Sequence, residues 1–94
     1  MSFLKRLFGG GGEKVDAPVV AKEIEHKGFV IRATPYKRDG QYQTSGTVSK
    51  EVGGVVKEHK FIRADRFSGM EDVVTVTLNK GRQLVDEQGE RLFQ

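Results

Sequence analysis

The sequence predicts an α+β fold: an antiparallel meander of three to four strands, followed by one long C-terminal helix packed on one sheet face. Three observations carry this. Apolar and polar residues alternate with period two between residues 28 and 65, the pattern of half-buried strands. Asp39-Gly40 and Gly53-Gly54 punctuate that region with pairs that tolerate the positive φ of tight hairpin turns. After Phe67 the alternation gives way to apolar and small residues at helical spacing.

The elements follow in chain order. In Gly28–Thr34, Phe29, Ile31 and Ala33 share one face and Val30, Arg32 and Thr34 the other, and Pro35 limits the ladder. A weaker strand precedes it at Lys22–Glu25. The next strand runs from Gln41 to Lys50, where Gly46 marks either a bulge or a close approach from above. The third long strand runs from Val55 to about Asp65, with Ile62 and Ala64 on one face and His59, Phe61 and Arg63 on the other. A one-residue error in parity exchanges these faces.

Ser68-Gly69-Met70-Glu71 has the form of a capping box, with Ser68 as N-cap, and Asp72 adds an acid to the first turn. Met70, Val74, Thr77, Gly81, Leu84 and Val85 then fall at helical spacing, Arg82 is placed to pair with Asp86, and Gly89 suits the C-terminus. The β-branched run Val73–Thr77 favours a strand on propensity alone. The cap, the length and the polar Asn79-Lys80 pair favour a helix from Gly69 to Gln88. The expected core comprises Phe29 or Val30, Ile31, Tyr42, Val48, Phe61 or Ile62, Val74, Leu78, Leu84 and Val85. Leu92 and Phe93 either fold back on that core or dock on a partner.

Residues 19–94 therefore form one domain, and residues 1–18 a flexible tail. The tail opens MSFLKRLFGGGG. Ser2 can cap two helical turns whose apolar side is Phe3, Leu4, Leu7 and Phe8 and whose polar side is Lys5 and Arg6. Two turns are too short to be stable alone, so this segment reads as a docking peptide tethered by Gly9–Gly12. Its candidate targets are the protein's own surface or that of a second copy, a groove on a partner protein, and, ranked lower, an anionic membrane surface.

Composition narrows the function classes. The 94 residues include no cysteine, which excludes disulfides, thiolate metal sites and cysteine nucleophiles. No apolar run approaches the roughly 20 residues that span a bilayer, and no secretory signal is present, so a cytoplasmic location is expected. The net charge of +3 falls to nearly neutral without Lys5 and Arg6, leaving 14 basic side chains against 13 acidic ones (16 less 2, against 13). His26 and His59 lack a Ser or Asp partner at a telling spacing, and the glycine turns lack the lysine and helix start of a phosphate loop. No enzyme activity, cofactor or metal is expected.

The stretches KGFVIRATP, GQYQTSG, VKEHKFIRADRF and GRQLVDEQGERLF, with the opening MSFLKRLFGGGG, resemble the small bacterial HlyU-type transcriptional activator family over nearly the whole chain. EHKFIRAD and DEQGERLF are the most specific elements. Gly81 stands where the resemblance leads one to expect alanine. The resemblance implies activation of transcription. The single helix carries Glu71, Asp72, Asp86, Glu87 and Glu90 against Lys80, Arg82 and Arg91, a poor recognition helix for a major groove.

Two readings follow. In the first, a regulatory protein contacts nucleic acid through a basic strand surface made of Arg32, His59, Lys60, Phe61, Arg63 and Arg66, with Phe61 stacking a base and the cations on phosphate. The competing reading of the same residues buries Phe61 beneath the helix and leaves the charges as rim ion pairs. In the second, the chain is a non-enzymatic interaction module acting through the tail and the uncovered sheet face. The partners to be considered are DNA, another regulatory protein and a second copy of the chain.

Overall fold

The structure, a computed structural model, describes residues 19–94. The tail segment Phe3–Phe8 and its glycine linker lie outside the described residues. The elements are β1 (Lys22–His26), β2 (Phe29–Ala33), β3 (Tyr36–Arg38), β4 (Gln41–Val52), β5 (Val55–Phe67), α1 (Met70–Gln88) and a closing 3-10 turn (Gly89–Phe93). All strand pairs are antiparallel. This is the expected α+β order, with five strands rather than three or four.

The additional strand arises at Pro35. The Thr34-Pro35 step interrupts the strand that begins at Phe29, and the chain resumes pairing along the same edge of β4 as the three-residue β3. The opposite edge of β4 carries β5. Three two-residue turns join the hairpins, and in each both residues have positive φ: Lys27-Gly28 (53° and 86°), Asp39-Gly40 (53° and 80°) and Gly53-Gly54 (60° and 83°). That is the type I′ pattern, whose twist matches the flanking strands.

One face of the sheet is covered by α1. Phe29, Ile31, Ala33, Val48 and Phe61 meet Leu78, Val85 and Leu92 there in one core cluster. The parity is therefore Phe29 rather than Val30, and Phe61 rather than Ile62, which is 56% exposed. Tyr42, Val74 and Leu84 sit at the margin, half-buried, and Met70 is exposed. The β-branched run forms the helix because Val73 and Thr77 pack fully buried against the sheet. Thr77 also satisfies its hydroxyl by donating to the Val73 carbonyl at 2.6 Å.

Two glycines let the layers approach. A Cβ on Gly46 would come within 2.7 Å of both the Arg32 carbonyl oxygen and Thr77 Cγ2, and within 2.8 Å of Phe61 Cζ. A Cβ on Gly81 would overlap Ile31 Cγ2. Gly81 is thus required by packing, where alanine was expected.

The helix ends differ in detail from the expectation. The N-cap is Gly69, and no side chain caps it, so the Ser68 capping box does not form. Glu71 and Asp72 still place negative charge in the first turn, where the helix dipole favours it. Arg82 donates to Asn79 rather than pairing with Asp86, which instead binds Lys27 Nζ at 2.8 Å and His26 Nε2 at 2.9 Å. Gly89 ends α1 at φ 54° and ψ −135°, a conformation that only glycine adopts freely. Beyond it Leu92 is buried, and Phe93 stacks on Phe29 with ring centroids 6.0 Å apart. Lys50 lies over the Phe29 ring and binds Glu90 at 2.9 Å. The C-terminus therefore folds back on the core.

Candidate nucleic-acid interface

Among the described residues no element covers the face of the sheet opposite α1. Its composition follows from strand alternation: Val30 and Arg32 on β2, Ser45, Thr47 and Ser49 on β4, and Glu58, Lys60 and Ile62 on β5 point away from the helix. Cross-strand pairing arranges them in rows. Moving along β4, the rows are Arg38–Gln41, Tyr36–Gln43–Arg66, Ser45–Ile62, Glu23–Arg32–Thr47–Lys60, Glu25–Val30–Ser49–Glu58 and Glu51–Val56.

These rows are electrically polarised. The first four hold Arg38, Arg66, Arg32 and Lys60 against Glu23 alone. The last two hold Glu25, Glu58 and Glu51 and no cation. The basic half also presents Tyr36, 39% exposed, and Ile62.

The centre of the face is polar rather than apolar. Ser45, Thr47 and Ser49 are small enough to be buried beneath longer neighbours, and Thr34 joins them. The Thr34 and Ser45 hydroxyls are hydrogen-bonded at 3.3 Å. Arg32 donates from Nη1 to Ser49 Oγ at 3.2 Å and from Nε to Glu23 Oε1 at 2.9 Å. Thr47 Oγ1, between Arg32 and Lys60 in its row, is buried without a hydrogen-bond partner.

A bulge shapes the basic end. Between the pairs Ser45↔Ile62 and Gln43↔Arg66 the register shifts, and β5 carries three residues opposite one of β4. The displaced carbonyls are recovered by β4 side chains: Gln43 Nε2 donates to the Arg63 carbonyl, and Thr44 Oγ1 donates to the Asp65 carbonyl at 3.0 Å. Arg66 is held beside them by Gln43 Oε1 at 3.1 Å and Asp39 at 3.4 Å.

The six residues singled out by the sequence are thus divided. Arg32 and Lys60 share one row of the open face, and Arg66 lies two rows away. Arg63 is exposed in the bulge. His59 and Phe61 pair with Val48 and Gly46 and point to the helix side. Phe61 is a core residue, so no base can stack on it. Sequence reasoning missed Arg38, Tyr36 and the hydroxyl row. The alternating Ser45, Thr47 and Ser49 were the available signal for that row.

Among the described residues no group of three or more His, Asp or Glu side chains is arranged to hold a metal ion. A groove of about 430 Å³ between β1 and the first turn of α1 is lined by Lys22, Glu71, Asp72 and Thr75 with Ala21, Met70 and Val74. Among the described residues no helix is long and apolar enough to cross a membrane.

In comparison with known families, the family described as "Transcriptional activator HlyU" matches residues 2–93. No curated protein and no solved structure matches the chain significantly.

Proposed function

Because the chain belongs to the HlyU transcriptional activator family, we propose that it regulates transcription by contacting nucleic acid directly, through the basic half of its open sheet face. The family supports the regulatory role. The contact surface is supported by the polarised rows: Arg38, Arg66, Arg32 and Lys60 cluster at one end of a strand face, where Glu23 and Asp39 pair with Arg32 and Arg66, and Glu25, Glu51 and Glu58 lie at the other end. Clustered cations of this kind neutralise phosphates and release counterions. The buried hydroxyls keep the middle of the face low, so the long basic side chains stand above it.

The helix is a poor reader of the major groove, because acidic residues outnumber basic ones on it and no second α-helix of the described residues packs beside it. A sheet face tracking a phosphate backbone is the alternative geometry. Its chemistry is sequence-tolerant, and single-stranded and duplex DNA are both suitable probes.

The test is fluorescence anisotropy of the full chain with generic duplex and single-stranded oligonucleotides across a salt series. Four phosphate contacts predict a log–log slope of about −3 to −4, and Arg38→Ala should reduce its magnitude by about one. Absence of binding at low salt, or a slope that neither Arg38→Ala nor Lys60→Ala changes, would overturn this reading. The regulatory role would then pass to a protein partner.

A further inference from the structure

The outer edge of β5 pairs with no strand among the described residues. We propose that its occupant is the same edge of a second copy, in an antiparallel register centred on His59.

The backbone sets which residues can take part. The Gly53-Gly54 turn is a two-residue turn closed by Val52↔Val55, and such a closing pair exchanges both of its hydrogen bonds. Val55, Lys57, His59 and Phe61 therefore turn their N–H and C=O groups toward β4. Val56, Glu58, Lys60 and Ile62 turn theirs outward. The bulge at residues 63–65 ends this regular stretch on one side and the hairpin turn ends it on the other. Bulges at a sheet edge limit open-ended pairing, so the free ladder is short and bounded.

Only one two-fold register of that ladder is self-complementary. Centred on His59, it sets Glu58 opposite Lys60 of the second copy and Lys60 opposite its Glu58. Val56 then faces Ile62 of the second copy, and Ile62 its Val56. All four pairs join outward-facing backbone groups, as an antiparallel ladder requires. Their side chains share the open face, where cross-strand pairs of opposite charge and of apolar residues attract. Val56 and Ile62, exposed at 42% and 56%, are covered. Moving the centre by one residue opposes Glu58 to itself or Lys60 to itself. The two-fold axis stands normal to the sheet, so both helices lie on one side and the two open faces become one surface.

This pairing does not rest on the nucleic-acid reading, and its test contains no DNA. The full chain is examined by sedimentation equilibrium as wild type, Glu58→Lys, Lys60→Glu and the double exchange Glu58→Lys/Lys60→Glu. Wild type should be dimeric. Each single exchange replaces two attractive pairs by two repulsive ones and should weaken the dimer by roughly tenfold or more. The double exchange restores both pairs and should restore the dimer. A wild-type chain that stays monomeric up to millimolar concentration would overturn the proposal. So would a dimer indifferent to the single exchanges, or one that the double exchange fails to restore.

Discussion

Gly81 of α1 lies directly against Ile31 of β2, so close that any Cβ at position 81 would overlap Ile31 Cγ2. Ile31 is itself fully buried in the middle of the core. Two opposing effects meet at this contact. Alanine is a better helix former than glycine by about 0.8–1 kcal/mol. Overpacking a well-filled core costs about 1–3 kcal/mol. The second wins because the neighbour is a buried branched side chain rather than a flexible tip. Gly81→Ala should therefore lower stability in urea titration. In an Ile31→Ala background, the same substitution should become neutral or favourable by up to about 1 kcal/mol, a non-additivity that identifies the contact.

Gly46 obeys the same logic with a harder neighbour. One of the three atoms that a Cβ would meet is the Arg32 carbonyl oxygen, which belongs to the paired strand. The ladder would have to part for it to move. Gly46→Ala should cost about 2–3 kcal/mol, read as a lower denaturation midpoint.

Gln43 should matter more than a surface amide. It is buried, donates to the Arg63 carbonyl and accepts from Arg66, so it holds the bulge and one cation of the proposed interface together. Gln43→Ala should destabilise by about 1–3 kcal/mol, because it leaves a bulge carbonyl without its donor. Amide exchange at residues 63–66 should rise in the variant while exchange at Val48 stays slow.

Asp86 gives a pH dependence with a definite sign. The hydrogen bond from Lys27, followed by that from His26, holds its carboxyl below the ordinary value of 3.8. A depressed carboxylate pKa contributes stability that is complete above the unfolded value and fades as pH falls through the folded one. The denaturation midpoints of wild type and Asp86→Asn should therefore differ modestly at neutral pH and converge below 3.8. The effect is small because the group is exposed.

Much of the fold was legible because it rests on short-range rules. Asp39-Gly40 and Gly53-Gly54 announce their turns, and the helix emerges despite Val73–Thr77 because its buried face suits branched side chains. What was not legible depends on neighbours distant in sequence. Lys27 carries none of the usual signs of positive φ, so the first hairpin was weak in the sequence. The parity of β5 is decided by which residues α1 covers, and that sends Phe61 into the core and Lys60 outward. Ser68 misses its cap because the helix begins one residue later. Arg38 and Arg66 join one basic surface only once the short β3 sets Arg38 opposite Gln41 and the β5 bulge sets Arg66 opposite Gln43.

The most direct measurement of the proposed interface is an amide chemical-shift map of the full chain during titration with a generic DNA duplex at low salt. The basic-half reading predicts shifts concentrated at Tyr36, Arg38, Gln43, Thr47, Lys60 and Arg66, with Glu25, Glu51 and Glu58 little changed. Shifts confined to α1, or none at all under conditions where the cations are unscreened, would contradict it.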